Sequence, residues 1–489
     1  MVTFTPLDWA VFGLFIAVLL GLGFSAKLRD HSALQFIAAG RALTLPIFVA
    51  TLVATWYGGI LGIAESVQYY GLGTILLMGV PYYVFALIYA LVYAKRVREA
   101  DQISIPERLH ARFGRTAAIV GAALVFLLGV PAPHVLMIGD LIQALTGLPL
   151  WQCILAGTVV GTLFLYKGGL MADARASTLA FAMMYIGFAV IVVYCLIHFP
   201  PMETWQRIEN KNFLTFTGGT QWPTIVSFFI LGAWTLIDPG FHQRVASAKD
   251  PETGRRGVLI AIGFWMLFDM MTVSTGLYAM SLLTEPPANT RLIFPALGNA
   301  ILPPGLQAMF FCGMFGTILS AMVGYSLVSG ASFGREFVCR IKAGLDETKW
   351  SRIGIAVASV VAIILALNID SVVALWYSWG GCVIGAILLP VTLAYGIGRW
   401  NPRPVIVVMS MALGFLASFA WLIYGVVNGN LYLDVELPRQ IIGYTLPEGT
   451  RFGLGTLLPS LAVSLIVLGL GSLFKGTESN ERRADGTAG

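Results

Sequence analysis

Charged residues are scarce in this chain. Asp, Glu, Lys and Arg make up 11% of its 489 residues, whereas an average soluble domain carries about 25%. Hydrophobic residues make up 57% and the mean hydropathy is +0.81. The composition therefore excludes an ordinary soluble domain and predicts an all-α, polytopic membrane protein. The short alternating apolar segments of a transmembrane β-barrel do not occur in the sequence.

Several motifs that carry chemistry are missing as well. The five cysteines show no CxxC spacing, so neither a metal site nor a disulfide framework is indicated. A Walker A phosphate-binding motif is absent, which argues against direct ATP coupling. No nucleophile–base pair stands out, so we do not expect an enzyme. No Lys or Arg precedes the first apolar run, so we expect no cleavable signal peptide.

The apolar runs are long enough to cross a bilayer, which needs about 20 residues per helix. We count thirteen predicted spans. They are 6–26, 44–65, 73–95, 117–146, 150–166, 176–199, 222–240, 257–283, 305–334, 352–369, 372–397, 404–427 and 454–474.

The basic residues predict how the chain crosses the membrane. With the N-terminus outside, 25 of the 30 Lys and Arg residues fall in cytoplasmic loops and 5 fall in outer loops. Such a bias is typical of cytoplasmic loops. It predicts a multi-pass protein of the cytoplasmic membrane with the N-terminus outside and the C-terminus inside. It also accounts for the net charge of +5 without nucleic acid as a partner.

Residues 51–65 lie within one apolar run but contain three glycines and two threonines and end on Glu65. Glycine weakens a helix by about 1 kcal/mol relative to alanine. Irregular backbone at membrane depth occurs only where protein or a wet cavity satisfies it. We therefore predict a helix interrupted near the membrane midplane, where free carbonyls can bind an ion or solute. The alternative is a glycine-rich face for helix packing.

A second interruption is predicted five spans later. Span 222–240 ends on Asp238-Pro239-Gly240, a helix stop that carries a carboxylate. Many transporters are built from inverted repeats with interrupted helices at matching positions. The coincidence favours the interrupted-helix interpretation of residues 51–65.

Four blocks of sequence resemble the sodium:solute symporter family, which has the LeuT-like architecture of two inverted five-helix repeats. The blocks are 36–43, 168–175 continuing to 184–188, 238–249, and 316–325 closing on 335–336. The resemblance implies five segments: an extra N-terminal helix with its loop, two repeats, extra C-terminal helices and a disordered cytoplasmic tail. Their predicted bounds are 1–43, 44–199, 200–400, 401–474 and 475–489.

The resemblance also implies a sodium site. In the family, carbonyls of the first core helix join ligands from the eighth, and the matching positions are Ala54, Tyr57, Thr317 and Ser320. The Thr317 ligand would be its carbonyl and the Ser320 ligand its hydroxyl. Ala321 stands where the family usually has a second Ser or Thr. The Thr317 hydroxyl or a water could replace that ligand. From the residues alone, a Ser320 hydroxyl that bonds back to its own helix is favoured over a sodium ligand.

A second, less widespread sodium site of the family would fall on Ser177, Val323 and Gly324. The family's acid is missing at the first position and its hydroxyls are missing at the other two. The sequence therefore predicts that the second site is absent and that the first is weakened. Sodium remains the expected coupling ion, with a proton-coupled or uncoupled carrier as the alternative.

Ionisable residues inside a membrane are functional candidates. Asp238, at the second interruption, is the favoured solute contact, although it could instead be a helix-end carboxylate paired with His242 or Arg244. The other predicted solute contacts are Trp56, Trp234, Glu65 and Trp376. Trp379 belongs to the same aromatic cluster as Trp376.

Three further residues are open cases. His134 fits a satisfied core histidine better than a contact, Asp140 has no assigned role, and Asp269 is a buried acid without a recognisable partner. An amine-bearing or polyhydroxyl solute suits the acidic and aromatic residues better than a simple monocarboxylate.

The sequence thus predicts a cation-coupled symporter that imports a small organic solute by alternating access. Its expected partners are the solute, a sodium ion and the lipid bilayer, with no obligate protein partner. A transporter-like membrane sensor is a more distant alternative.

Overall fold

The computed structural model describes residues 2–369, 371–376, 380–398, 400–430, 434–437, 440–441, 444–445 and 451–473. Two expectations lie outside this range, namely the side chain of Trp379 and the tail 475–489. Within it, the fold is almost entirely helical.

The α-helices are α1 (Pro6–Ser25), α2 (Ala33–Ala38), α3 (Leu45–Trp56), α4 (Ile60–Tyr70), α5 (Val80–Ile88), α6 (Ala94–Glu99), α7 (Ile105–Gly129), α8 (Ala132–Thr146), α9 (Leu150–Thr162), α10 (Leu165–His198), α11 (Pro201–Thr204), α12 (Trp222–Leu231), α13 (Pro239–Ser247), α14 (Pro251–Leu282), α15 (Ile293–Ile301), α16 (Leu306–Ala331), α17 (Cys339–Ile341), α18 (Glu347–Asn368), α19 (Val372–Leu375), α20 (Gly381–Ala394), α21 (Pro404–Val427) and α22 (Leu457–Leu473).

Shorter elements complete the described chain. The 3₁₀ turns are Ala39–Arg41, Tyr57–Gly59, Trp205–Arg207, Lys211–Leu214, Gly232–Leu236 and Thr290–Leu292, and the π-helical turns are Ile75–Gly79, Tyr89–Tyr93 and Ser332–Val338. Two antiparallel strand pairs join Asp434–Glu436 to Arg451–Gly453 and Gln440–Ile441 to Tyr444–Thr445.

The structure does not confirm thirteen spans. Among the described residues, ten helical segments are long and apolar enough to cross a membrane. Three more apolar helices fall at predicted spans but are shorter, namely Leu150–Thr162, Gly381–Ala394 and Leu457–Ser472. Each of the thirteen predicted spans thus contains an apolar helix of the described chain, and the number of helices that cross the membrane stays a prediction.

Local sequence explains where several helices begin. Asp250 caps α14 by accepting a hydrogen bond from the Thr253 amide at 2.7 Å, and Pro251 follows at the first helical position. The hydrogen bonds from Thr253 hold the pKa of Asp250 below its usual range. Asp346 caps α18 in the same way, with the Lys349 amide at 2.9 Å.

Burial differs sharply between central and peripheral helices. Segments Leu45–Tyr70 and Leu306–Ile341 are buried along most of their length, whereas α1 and α21 expose most of theirs. The exposed positions of the peripheral helices are apolar, such as Leu14 and Leu416. Polar side chains at the centre must therefore find partners in protein, ions or solute, because lipid offers none.

The first predicted interruption is confirmed. Helix α3 ends at Trp56, the 3₁₀ turn Tyr57–Gly59 follows, and α4 begins at Ile60. The backbone leaves the α-helical region at Tyr57 (φ −80°, ψ 6°) and Gly59 (φ −79°, ψ 22°). We call this turn the first break.

The second predicted interruption is confirmed too. Helix α12 gives way to the 3₁₀ turn Gly232–Leu236, and Asp238 (φ −59°, ψ 119°) then caps α13. We call residues 232–238 the second break. The Asp238 carboxylate accepts a hydrogen bond from the Phe241 amide at 2.8 Å, so the cap explains why α13 restarts there.

One expected loop is helical. Residues 168–175 belong to α10, which begins at Leu165 rather than near residue 176. Gly169 bends the helix with φ +52°, and a side chain there would collide with the Phe36 carbonyl oxygen. The correction matters because it places Asp173, which is fully buried, within the first turns of α10 rather than in a loop.

The first break packs directly on α16. A Cβ built on Gly58 would overlap the Cβ of Ala321 and lie 3.1 Å from Cδ2 of His134. Glycine at 58 is thus required by close approach.

We expect Gly58→Ala to lower the free energy of unfolding by about 1–3 kcal/mol, because the added methyl group overpacks the contact with Ala321. The double variant Gly58→Ala/Ala321→Gly should recover most of that loss. Gly263→Ala is the control, since a Cβ at Gly263 meets nothing within 4 Å. Thermal unfolding of the purified protein tests this, and equal losses in the single and double variants would contradict the packing.

Candidate functional site

A cavity of about 120 Å³ lies beside the first break. Eight of its lining residues are aromatic, and no Lys or Arg is among the described residues that line it. The lining residues are Trp56, Tyr57, Gly59, Ile63, Met78, Tyr82, Tyr83, Leu128, Val130, Pro133, His134, Trp234, Trp265, Asp269, Tyr325 and Trp376. Small apolar cavities with a few polar groups are the usual form of solute sites.

Asp269 is the acid in this lining. The hydroxyl of Tyr57 donates to one carboxylate oxygen, and the hydroxyl of Tyr83 donates to the other. Thr272, one turn along α14, lies 3.2 Å from the Tyr57 hydroxyl. Gly79 leaves room for this cluster, because a Cβ there would lie 2.9 Å from Asp269 Oδ2.

Tryptophan side chains form rigid walls. The Trp56 ring lies 4.9 Å from Phe241, 5.4 Å from Tyr82 and 5.7 Å from Trp265, measured between ring centroids. Trp376 covers the first break, since side chains at Gly59 or Gly62 would meet its indole within 3 Å. Contacts with neighbouring side chains and backbone therefore hold these rings in place.

Trp234 of the second break lines the cavity directly, whereas Asp238 is connected to the cavity through Tyr325. Its hydroxyl donates to Asp238 Oδ2 at 2.8 Å, and its ring stacks on His134 with centroids 5.3 Å apart. Asp238 itself is 1% exposed and does not line the cavity. The alternative pairing of Asp238 with His242 or Arg244 is not what the structure has. His242 contacts the Leu236 carbonyl and the Tyr395 hydroxyl instead.

Two predicted or open acids lie apart from the cavity. Glu65 accepts a hydrogen bond from the Ser371 hydroxyl at 2.7 Å, and its other oxygen has no partner among the described residues. Asp140 pairs with Arg291 at 2.6 Å and accepts from Asn289 at 3.1 Å. Both tie helices to loops beyond the cavity.

The predicted sodium ligands lie on the other side of the first break. The Ser320 hydroxyl does not bond back to its own helix. It lies 2.7 Å from the Ser177 hydroxyl and 3.3 Å from the Thr55 hydroxyl. The Thr317 hydroxyl does bond back, donating to the Gly313 carbonyl at 2.6 Å. Ala54 and Thr317 are fully buried.

The hydroxyls of Ser320, Ser177 and Thr55 belong to a closed ring of hydrogen bonds that includes an ion pair. Ser177 donates to Asp173 Oδ1 at 2.9 Å, and Arg244 Nη2 contacts Asp173 Oδ2 at 2.9 Å. The same Nη2 donates to Thr55 Oγ1 at 2.6 Å, which closes the circle through Ser320. We call Thr55, Ser320, Ser177, Asp173 and Arg244 the polar ring.

Arg244 corrects one expectation from the sequence. We assigned it to a cytoplasmic loop, but the structure buries it completely on α13. It also donates to Thr51 at 3.2 Å and to the Gly240 carbonyl at 3.3 Å. A Cβ at Gly324 would lie 2.6 Å from Arg244 Nη2, so glycine there makes room for the guanidinium.

The sequence model of the sodium:solute symporter family matches residues 36–397, most of the chain. The chain belongs to the sodium:solute symporter family.

Individual relatives agree with this assignment. The symporter is 23% identical to the uncharacterised symporter YidK of Escherichia coli strain K12, over 91% of this chain and 84% of the relative. It is 22% identical to the uncharacterised symporter YwcA of Bacillus subtilis strain 168, over 76% of this chain and 79% of the relative.

Solved structures confirm the LeuT-like fold. A sodium-coupled sialic acid symporter, in a substrate-bound outward-open state, has a TM-score of 0.73 at 14% identity and covers 96% of this chain and 98% of its own. Mhp1, a nucleobase-cation-symport-1 transporter with bound bromovinylhydantoin, has a TM-score of 0.50 at 13% identity and covers 92% and 98%. At these identities the likeness concerns the fold alone.

The structure of the symporter brings some predicted residues together and separates others. Trp56, Trp234 and Trp376 line the cavity with the Tyr57 side chain, whereas Asp238 and Glu65 do not. His134, which the sequence favoured as a core histidine, does line it.

Sequence reasoning missed Asp173 as a buried acid and Tyr83 and Tyr325 as cavity residues. An acid four residues before Ser177 was a visible pattern, since that spacing places both side chains on one helix face.

The polar ring makes a prediction about stability. We expect Asp173→Asn to lower the free energy of unfolding by about 3–5 kcal/mol, because it leaves the buried Arg244 cation without its carboxylate. Removing both charges with Asp173→Asn/Arg244→Gln should cost less than the sum of the single variants. Thermal unfolding with exposed Asp30→Asn as the control measures this. Additive losses would show that the two charges are not coupled.

Proposed function

We propose that this symporter imports a small organic solute together with sodium, by alternating access across the cytoplasmic membrane. The observation that carries the proposal is the direction of the Ser320 hydroxyl. It leaves its own helix and faces α3 and α10, where hydroxyls of Thr55 and Ser177 meet it. Hard cations favour such oxygen ligands.

The proposed sodium ligands are the carbonyls of Ala54, Tyr57 and Thr317 and the Ser320 hydroxyl. Asp173 supports the proposal, because it supplies a carboxylate one helical turn from Ser177, where the family's acid is missing. The Asp173 carboxylate, as a member of the polar ring, attracts a bound cation electrostatically. Thr55 offers a further hydroxyl to offset the one missing at Ala321.

The proposed solute site is the cavity. Trp56, Trp234 and Trp376 form its walls, and Asp238 and Glu65 stay candidates that would need a conformational change to touch solute. An amine-bearing or polyhydroxyl solute suits this lining, because a carboxylate and tyrosine hydroxyls offer it hydrogen bonds.

The proposed coupling follows from chain connectivity. Thr55 belongs to the polar ring, while Trp56 and Tyr57 belong to the cavity. An ion that orders the first break therefore also orders two cavity walls, which gives the two ligands a shared conformational equilibrium. The excess of basic residues on alternate loops supports an N-terminus outside and a C-terminus inside.

The alternative is a proton-coupled or uncoupled carrier, and Arg244 favours it. A sodium ion on Ser320 would lie within about 8 Å of Arg244 Nη2, and at an effective dielectric of about 20 the repulsion is at least about 2 kcal/mol. Asp173 offsets part of it. The permanent charge of Arg244 could therefore occupy the role that a bound sodium ion has in the sodium-coupled carrier.

The effect of sodium on the unfolding temperature, measured without solute, distinguishes sodium coupling from the proton-coupled or uncoupled alternative. We expect NaCl to raise the unfolding temperature of the purified protein above that in KCl at equal ionic strength and fixed pH, because a ligand of the folded state stabilises it. Ser320→Ala should abolish most of this difference, because it removes a proposed ligand.

The matched control is Ser326→Ala. Ser326 lies on the same helix, is buried, and its hydroxyl donates only to the Met322 carbonyl among the described residues. It should keep the full response to sodium. An unfolding temperature that is the same in both salts, or equal losses in the two variants, would favour the proton-coupled or uncoupled carrier.

A further inference from the structure

We infer that the cavity binds a small organic cation, with Asp269 as its charge partner and tryptophan rings as its walls. The inference rests on the proposed function, since it names the solute class of the same cavity. It adds a charged contact, Asp269, which had no recognisable partner in the sequence.

Charge is the first argument. Asp269 is 5% exposed, and no Lys, Arg or His nitrogen among the described residues forms an ion pair with it. The buried acids Asp173 and Asp140 each have an arginine. Asp238 and Glu65 also form no ion pair with a described residue, but they do not line the cavity. A buried ionised acid without a protein cation is costly unless a ligand supplies the charge.

The hydrogen bonds at Asp269 fit a carboxylate. Two hydroxyls, from Tyr57 and Tyr83, both donate to it, one to each oxygen. A carboxylate accepts about four hydrogen bonds, so lone pairs remain for a cationic group. The tyrosines also fix the direction in which the acid faces the cavity.

The walls are the second argument. Trp56, Trp234, Trp265 and Trp376 all line the cavity. Indole faces attract ammonium groups more strongly than other aromatic rings do, and the attraction grows when water is excluded. Four tryptophans in a cavity that holds one carboxylate and no basic residue among its described lining suit an ammonium group better than an anion.

Polar atoms without hydrogen-bond partners further limit the range of solutes that suit the cavity. The indole nitrogens of Trp234 and Trp265 and Nδ1 of His134 have no hydrogen-bond partner among the described residues. All three residues line the cavity. A solute that also carries a hydroxyl could pair with one of them. The cavity volume of about 120 Å³ lies below that of typical drug-sized sites, so the cation must be compact.

Three probes of similar size test the charge directly. The full-length purified protein is titrated with tetramethylammonium, choline and 3,3-dimethylbutan-1-ol, the uncharged isostere of choline, in amine-free sodium phosphate buffer and again in amine-free potassium phosphate buffer. Binding is followed by calorimetry and by thermal unfolding. We expect both ammonium ions to bind, and choline to bind at least about tenfold more tightly than its isostere.

Asp269→Asn should remove the preference for choline over its isostere, because the substitution keeps the shape and deletes the charge. Asp30→Asn, the same change at an exposed position, should leave the preference unchanged. The wild-type comparison alone decides the matter if Asp269→Asn fails to fold.

Two outcomes would overturn the inference: no binding of either ammonium ion, or equal affinity for choline and its isostere. Neither outcome touches the response to sodium, which is measured in potassium and sodium salts without any solute. Failure of the organic-cation site and failure of sodium coupling are therefore distinguishable.

Discussion

The contact between Gly58 and Ala321 is the constraint on which the polar interior depends. It holds a helix interruption against the most buried helix of the fold, in a region where lipid satisfies no backbone group. Thr55 then faces the polar ring on one side, while Tyr57 faces Asp269 on the other. Two polar regions that share no side chain are thus joined by three consecutive residues, so neither can rearrange without moving the other.

The two regions balance their charges differently. In the polar ring, Asp173 has its counter-ion in the protein, because Arg244 enters from α13 and is fully buried. In the cavity, the donors to Asp269 from the described residues are both hydroxyls. A self-neutralised pair can persist through a transport cycle without cargo, whereas an acid held by hydroxyls gains most when a cation arrives. The Asp173–Arg244 pair is therefore suited to holding helices together, and Asp269 to binding a cation.

The sequence predicted both breaks because their causes are local: glycines within an apolar run, and a Pro-Gly pair after an acid. It also predicted the family and its fold from short blocks. It misplaced Arg244 because hydropathy assigns charges to loops, and a buried arginine is recognised only when its partner is known. Asp173 lies one helical turn before Ser177, the position at which the family has its acid. Only a helix that begins at Leu165 places these two positions on one buried face. The partners of Asp269 are 212 and 186 residues away, beyond any local pattern.

Ala321 shows how packing and ligand chemistry compete at one position. The family usually has a hydroxyl there, and the break could then supply carbonyls to an ion shared with that hydroxyl. Here Gly58 touches the Ala321 methyl group, which leaves little room for a larger side chain. Oxygens from other helices lie near Ser320 instead, from Thr55 near the end of α3 and from Ser177, which donates to Asp173. In the proposed sodium site, hydroxyls from α3 and α10 thus stand in for the hydroxyl that α16 lacks. The ring that supplies them also contains Asp173, whose charge Arg244 balances.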